Sequence, residues 1–223
     1  MAELIRVADA ERIAENLREL RAQLVDAARR AGRDPRRLEI LAATKYVACE
    51  DLPLLAAAGI RLVGENRAQD LLAKVAAHGE LFAWDFIGAL QSRKVRAILP
   101  SVRLIHSLAS ESALRELERH RALARPELRI LIEVNVAREP GKAGIAPHEL
   151  ERYLERSPLP VAGLMCMPPL AADPERSRPW FAALRELAAL HGLETLSMGT
   201  SQDCVVAAEE GATIVRIGTR LYC

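Results

Sequence analysis

Between residues 9 and 31 the apolar positions Ile13, Leu17, Leu20, Leu24 and Ala28 recur at intervals of four, three, four and four, while Glu and Arg fill the other faces. That spacing keeps one stripe of a helix apolar, so it predicts an amphipathic helix, closed by "AGRDP". From residue 38 the period changes. Short apolar runs alternate with helical patterns: "LEILAAT" then "CEDLPLLAAAG", "RLVG" then "RAQDLLAKVAAHG", "WDFIG" then "LQSRKVRAIL", "RLIHSL" then "SESALRELERHRAL". The rhythm continues through "RILIEVNV" and "PHELERYLERS", "VAGLMCM" and "RPWFAALRELAAL", "ETLSMG" and "SQDCVVAAEEG", and ends on "TIVRIG".

Eight strand candidates, each of the first seven followed by a helical pattern, call for a parallel α/β sheet. Eight units point to a closed (β/α)8 TIM-type barrel with an extra N-terminal helix; a doubly wound open sheet is the alternative. The last helix is expected to be missing or short, because the chain runs only four residues beyond "RIGT". No composition break marks a second domain. One domain is expected over residues 1–223, with the N-terminal helix and its connection in 1–37 and the barrel in 38–223.

Composition narrows the function. Half of the 223 residues are hydrophobic, ample for a large core. Lys and Arg total 31 against 30 Asp and Glu, so a net charge of +1 offers no broad field for nucleic acid or an anionic membrane. An anionic ligand must meet a local site. The Arg-rich "RELERHRALARPELR" is interleaved with Glu and reads as a solvated helix face. No stretch approaches the length of a membrane span, and the acids in "MAELIRVADAERIAENL" are unlike a leader peptide, so a cytoplasmic address is expected. Cys49, Cys166, Cys204 and Cys223 form no CxxC pair and read as reduced structural thiols; the five histidines show no ligand spacing, so no metal site is expected.

Barrel active sites lie at the carboxyl ends of the strands. Lys45 ends the first run, and the others end in "GEN", in "IG" before "LQSRK", and in "NVAREPGKAG", "MCMPP", "SMGTSQD" and "RIGT". Loops after strands seven and eight often hold a phosphate through backbone N–H groups, and here they carry Gly199 and Gly218 for close approach with Thr200, Ser201 and Thr219 as hydroxyl donors. The plainer reading of these strings is turn and N-cap chemistry. At an apolar barrel mouth Lys45 would lose hydration and attack an aldehyde as a neutral amine; otherwise it is a strand-end lysine lifting its charge into water. Together with the phosphate loops, it fits a Schiff base to a phosphorylated aldehyde. Alternation puts Arg216 on the face of Ile214 and Gly218, with Val215 and Ile217 opposite. There it would meet a pyridine nitrogen and leave it unprotonated, or else pair with a buried carboxylate such as Glu65 or Asp85.

The segments "AATKYV", "VGENRAQD", "FIGALQSRK", "IEVNVAREPGKAGI", "GLMCMPP", "LSMGTSQD" and "VRIGTRLY" together resemble, in order and spacing, the pyridoxal 5′-phosphate homeostasis proteins of the YggS/PROSC type, from about residue 38 onward. That family is similar in fold to the barrel domain of alanine racemase, without its β-rich second domain. The resemblance implies a pyridoxal phosphate aldimine on Lys45, and a pocket of Asn66, Met165, Ser197, Gly199, Thr200, Ser201, Arg216, Gly218 and Thr219, with the phosphate on the last two strand exits. Lys142 matches a second lysine at the rim that takes part in cofactor transfer. The family often has Asn in place of Arg93 and Met in place of Thr200. The function implied is intracellular pyridoxal phosphate binding, buffering and delivery to apoenzymes, by a monomer with no substantial catalysis. An amino-acid racemase and a sugar-phosphate enzyme are the alternatives. Racemisation needs an acid and a base on opposite faces of the substrate Cα. Of Tyr46, Tyr153 and Tyr222, only Tyr46 is near the site in sequence, and alternation turns it away from Lys45.

Overall fold

The structure, a computed structural model, describes residues 9–222; the expectations for residues 1–8 and for Cys223 lie outside the described residues. The first helix, α1 (Ala10–Arg30), buries Ile13, Leu17, Leu20, Leu24, Ala27 and Ala28, the stripe the spacing predicts. The Asp9 carboxylate caps it by accepting the Arg12 N–H at 2.7 Å. At its other end Gly32, with φ of +69°, turns the chain away.

Eight strands follow: β1 (Glu39–Ala43), β2 (Leu62–Glu65), β3 (Ala83–Phe86), β4 (Leu104–Leu108), β5 (Arg129–Glu133), β6 (Val161–Met165), β7 (Thr195–Thr200) and β8 (Ile214–Ile217). Neighbours in sequence pair in parallel, and β8 pairs with β1 from Glu39↔Ile214 to Ala42↔Ile217, which closes the barrel. That pairing removes the open-sheet alternative. Between the strands run α2 (Leu52–Ala57), α3 (Ala68–His78), α4 (Ser92–Ile98), α5 (Glu111–His120), α6 (Leu150–Arg156), α7 (Arg178–Leu190) and α8 (Cys204–Glu209). The short last helix expected from the sequence is α9 (Thr219–Tyr222).

Two apolar clusters result from the alternation of strand side chains. Outward residues such as Val63, Ile105, Ile132, Val215 and Ile217 pack with the helices in the main core, whose largest buried side chains include Phe86 and Phe181. Inward residues Leu41, Leu62, Leu104, Leu131, Ala162 and Ile214 form a second cluster within the barrel. The N-terminal helix α1 packs on α8, α9 and α2. The Asn16 amide donates to the Leu221 carbonyl across this contact at 3.2 Å.

Close strand packing requires glycine at one position above all. A Cβ on Gly163 would sit 1.8 Å from the Thr195 carbonyl oxygen of the adjacent strand. Gly163→Ala is therefore expected to cost about 2 kcal/mol or more in urea unfolding. Gly192→Ala, with φ of +65° and nothing within 4 Å, should lose only about 1 kcal/mol from backbone strain. Equal losses would show that the β6–β7 approach is soft.

Candidate functional site

The β1 ladder ends at Ala43, so Lys45 lies two residues past the strand, in a turn closed by the Val47 N–H on the Thr44 carbonyl at 2.9 Å. Strand alternation no longer applies there. Lys45 is exposed, not enclosed by the barrel mouth, and its Nζ lies 4.8 Å from the Tyr46 ring centroid. The expectations of a desolvated amine and of a Tyr46 turned away are thus both corrected.

What fixes this turn is a set of side chains behind it. The Ala43 carbonyl accepts from the Tyr222 hydroxyl at 3.2 Å and the Thr44 carbonyl from the Lys74 ammonium at 2.7 Å. Lys74 also donates to Glu65 Oε1 at 2.5 Å, in a pair buried on both sides. The Thr44 hydroxyl reaches the same carboxylate at 2.9 Å, and the Asn66 N–H donates to Glu65 Oε2 at 3.2 Å. Removing either charge of such a pair leaves the other buried and uncompensated, which costs about 3 to 5 kcal/mol. Burial, with the Glu65 charge behind it, raises the Tyr222 pKa, so its hydroxyl keeps its proton and remains a donor.

At the β7 and β8 exits the glycines and hydroxyls divide. Gly199 has φ of +90°, and a Cβ there would come 2.5 Å from the Ala207 Cβ, so the position requires glycine. Thr200 is not available as expected: its N–H and its hydroxyl both donate to Asp203 Oδ1, at 2.7 and 3.1 Å. Asp203 immediately precedes α8, and the sequence reads Thr200 as a ligand donor where the fold uses it to fasten that helix. Ser201 accepts the Gly218 N–H at 3.3 Å, joining the two loops, and Thr219 beside them is exposed.

Inside the barrel a polar chain crosses from β3 to β8. Asp85 accepts from Arg103 at 2.9 and 3.0 Å and lies 3.1 Å from His106 Nε2; His106 Nδ1 lies 2.8 Å from the Ser197 hydroxyl. Arg216 NH1 donates to the Ser197 carbonyl at 2.8 Å and to its hydroxyl; NH2 donates to the Cys166 carbonyl at 3.0 Å and to Met167 Sδ at 2.8 Å. Arg216 does lie on the inner face, 7% exposed, but the alternative partners are engaged elsewhere: Glu65 with Lys74, Asp85 with Arg103 and His106. Among the described residues no carboxylate forms an ion pair with Arg216. Burial works against its charged form, yet a guanidinium keeps its proton. Glu133, at the inner end of β5, is raised above the usual carboxylate range by burial, with the Arg216 charge opposing. Burial likewise pushes the Cys166 thiol up to about 12.

The remaining expected residues lie around this chain. Met165 closes β6 at 3% exposure within the inner cluster. Asn66 follows β2, and its side-chain Oδ1 is buried with no hydrogen-bond partner. Gly88 lets β3 pass close to it, since a Cβ there would lie 2.0 Å from the Asn66 carbonyl oxygen. Lys142 sits in the β5 loop, donating to Glu139 Oε2 at 2.5 Å and to the Pro168 carbonyl at 3.0 Å. Arg93 is exposed and reaches only Gln91. Sequence reasoning missed His106 and Lys74, and met Glu65 and Asp85 only as partners for Arg216. A histidine within "RLIHSL" and an acid within "WDFIG" were the signals for two of them.

A parallel eight-stranded barrel with a lysine past β1 and glycine-hydroxyl exits after β7 and β8 is the architecture of one class: the family described as alanine racemase, N-terminal domain, matches residues 8–223. The likeness extends in fold alone to alanine racemase from Corynebacterium glutamicum, with a TM-score of 0.68 at 19% identity, covering 99% of this chain and 63% of that one. A pyridoxal phosphate homeostasis protein of Aquifex aeolicus is 40% identical over 219 residues, 93% of this chain and 96% of the relative. PipY of Synechococcus elongatus, solved with PLP bound, superposes with a TM-score of 0.81 at 32% identity, covering 95% of this chain and 100% of PipY. The chain belongs to the pyridoxal phosphate homeostasis protein family, as the motifs in its sequence indicate.

The buried histidine makes stability depend on pH. Burial lowers the His106 pKa below its ordinary 6.5, against the pull of Asp85 and with the Arg216 and Arg103 charges acting in the same direction as burial. Below that value the unfolded chain takes up a proton that the fold refuses, so stability falls as pH drops, by at most about 1.4 kcal/mol per unit. Asp85 is subject to burial, which raises it, but the hydrogen bonds from His106 and Arg103 hold it below its ordinary 3.8, so its contribution is lost only at more acid pH. Glu133, raised, acts in the opposite sense. Thermal unfolding followed between about pH 7.5 and 5.5 should show a falling midpoint in the parent and a flatter slope in His106→Gln. Parallel slopes would place the effect on another group.

Proposed function

We propose that the chain binds pyridoxal 5′-phosphate reversibly through Lys45 and serves intracellular pyridoxal phosphate homeostasis and delivery, without substantial turnover of amino acids. The observation that carries this reading is Arg216, a buried cation with no carboxylate partner, set on the inner face below a rim that holds Lys45 and the β7 and β8 exits. A ligand with a dianionic phosphate and a neutral ring acceptor supplies what that interior lacks. The Asn66 Oδ1, buried without a hydrogen-bond partner among the described residues, is a second group open to a ligand.

When bound, the cofactor supplies an aldehyde that condenses with an amine and a ring that withdraws electrons. Lys45, exposed beyond the end of β1, is the amine of this reading; Lys74 is held by Glu65 and the Thr44 carbonyl. The Ser201 and Thr219 hydroxyls would hold the phosphate, with the Gly218 N–H fixing the Ser201 oxygen between the two exits, and Gly199 would let the chain come close. Met165 provides the apolar wall. Ser197 acts through Arg216, and Thr200 through Asp203, so neither need touch the cofactor. Arg216 donates to the ring nitrogen and, unable to give up its proton, leaves that nitrogen unprotonated.

A ring kept unprotonated is a weak electron sink, which favours holding the aldehyde over racemising amino acids. The tyrosines agree with this. Tyr46 lies against Lys45 itself, the Tyr222 hydroxyl is engaged by the Ala43 carbonyl, and Tyr153 is buried on α6 beside Arg152. The working unit is then one barrel with its N-terminal helix, acting in the cytoplasm as a monomer. It delivers the cofactor to apoenzymes, with Lys142 taking part in transfer at the rim. No helix among the described residues is long and apolar enough to cross a membrane.

The protein should purify with the absorption band of a lysine-linked cofactor, and borohydride followed by peptide mapping should place the adduct on Lys45. An adduct on Lys74 or Lys142 overturns the assignment. Ser201→Ala with Thr219→Ala should weaken pyridoxal phosphate binding by about 2 to 4 kcal/mol, and pyridoxal without its phosphate should bind poorly. Equal affinity for the two aldehydes would remove the phosphate role from these loops. Incubated with L-amino acids in deuterium oxide, the loaded protein should exchange Cα–H well below about 1 s⁻¹. Faster exchange, lost in Lys45→Ala, would restore the racemase.

A further inference from the structure

The hydrogen bonds beneath Arg216 can be given a direction. Asp85 is acceptor-only when ionised, and it already takes two N–H groups from Arg103. The contact of 3.1 Å with His106 therefore requires a proton on Nε2. A neutral imidazole has no second proton, so Nδ1 is an acceptor and the Ser197 hydroxyl donates to it at 2.8 Å. With its hydrogen committed, the Ser197 oxygen presents lone pairs to Arg216 NH1.

Counting the guanidinium donors completes the chain. Arg216 has five N–H bonds. Two on NH1 go to the Ser197 carbonyl and hydroxyl oxygens; two on NH2 go to the Cys166 carbonyl and Met167 Sδ. Only the Nε–H has no acceptor among the described residues. We propose that His106 is a positioning residue: through the Ser197 hydroxyl it orients Arg216 so that the Nε–H faces the ring nitrogen, which makes the site selective for an aldehyde whose ring presents an acceptor. This rests on the cofactor reading above.

Two substitutions separate the ends of the imidazole. The Asn amide reaches the position of Nδ1, so His106→Asn keeps an acceptor for Ser197 and gives up Asp85. The Gln amide reaches that of Nε2, so His106→Gln keeps the donor to Asp85 and gives up Ser197. The probes are pyridoxal phosphate and a phosphorylated hydroxybenzaldehyde of the same shape in which the ring nitrogen is a C–H. The parent should prefer pyridoxal phosphate by about tenfold, the worth of one charge-assisted hydrogen bond. His106→Asn should keep that preference; His106→Gln and, independently, Ser197→Ala should reduce it to near unity. In the unloaded protein, nitrogen-15 NMR should show His106 protonated at Nε2 and bare at Nδ1.

A purely structural role would weaken both aldehydes in parallel and leave their ratio intact, and that result, or the opposite tautomer, overturns the proposal. So does a ratio that His106→Gln and Ser197→Ala leave unchanged. Failure of the cofactor reading looks different, because the parent would then bind neither aldehyde and the proposal would fall with it.

Discussion

The pairing of β8 with β1 is the constraint on which the rest of the structure depends. Once the sheet closes, every inward side chain is in a space with no route to bulk water except at the two ends. An inward leucine is content there; an inward acid, histidine or arginine has to find its partners on other strands. Asp85, His106, Ser197 and Arg216 come from β3, β4, β7 and β8; the contacts within β3–β4 and β7–β8 join neighbouring strands, and closure brings His106 within 2.8 Å of the Ser197 hydroxyl across the barrel. A lone buried polar group costs about 1 to 3 kcal/mol, so the chain is tolerable only as a complete set.

That completeness does not extend to charge. Arg103 supplies the counter-charge for Asp85 and continues to Glu39 at 3.0 Å, near the opposite end of the barrel. Arg216 has no such counterpart. Its neighbour Glu133 does not pair with it, and burial keeps that carboxyl easier to protonate than an ordinary one. The upper interior therefore holds a guanidinium with no ion-pair partner among the described residues, on which the Glu133 and Asp203 charges act from a distance.

Much of this was legible in the sequence. The period of α1, the eight apolar runs and the inward side of Arg216 follow from alternation and helical spacing, which are local rules. Local rules fail beyond a strand's last paired residue. Lys45 and Tyr46 share a turn, so alternation gave the wrong side for Tyr46. Thr200 reads as a free hydroxyl until Asp203, three residues on, is seen to claim both of its donors. Partners distant in sequence were out of reach: His106 meets Ser197 across 91 residues and Lys74 meets the Thr44 carbonyl across 30. A buried polar residue in an apolar run signals that a partner exists, not which one it is.

The same reasoning applies to α9. The helix α9 packs against α1, which also lies on α8 and α2. What α9 contributes is placement. Its first residue, Thr219, stands beside the Ser201–Gly218 contact, and its last, Tyr222, holds the Ala43 carbonyl two residues before Lys45. One turn of helix thus ties the exit of β8 to the exit of β1. Disturbing the Tyr222 contact would loosen the start of the turn that carries the lysine without touching Thr44 or Tyr46 on either side of it, so the geometry of the amine is set from outside the barrel as much as from within.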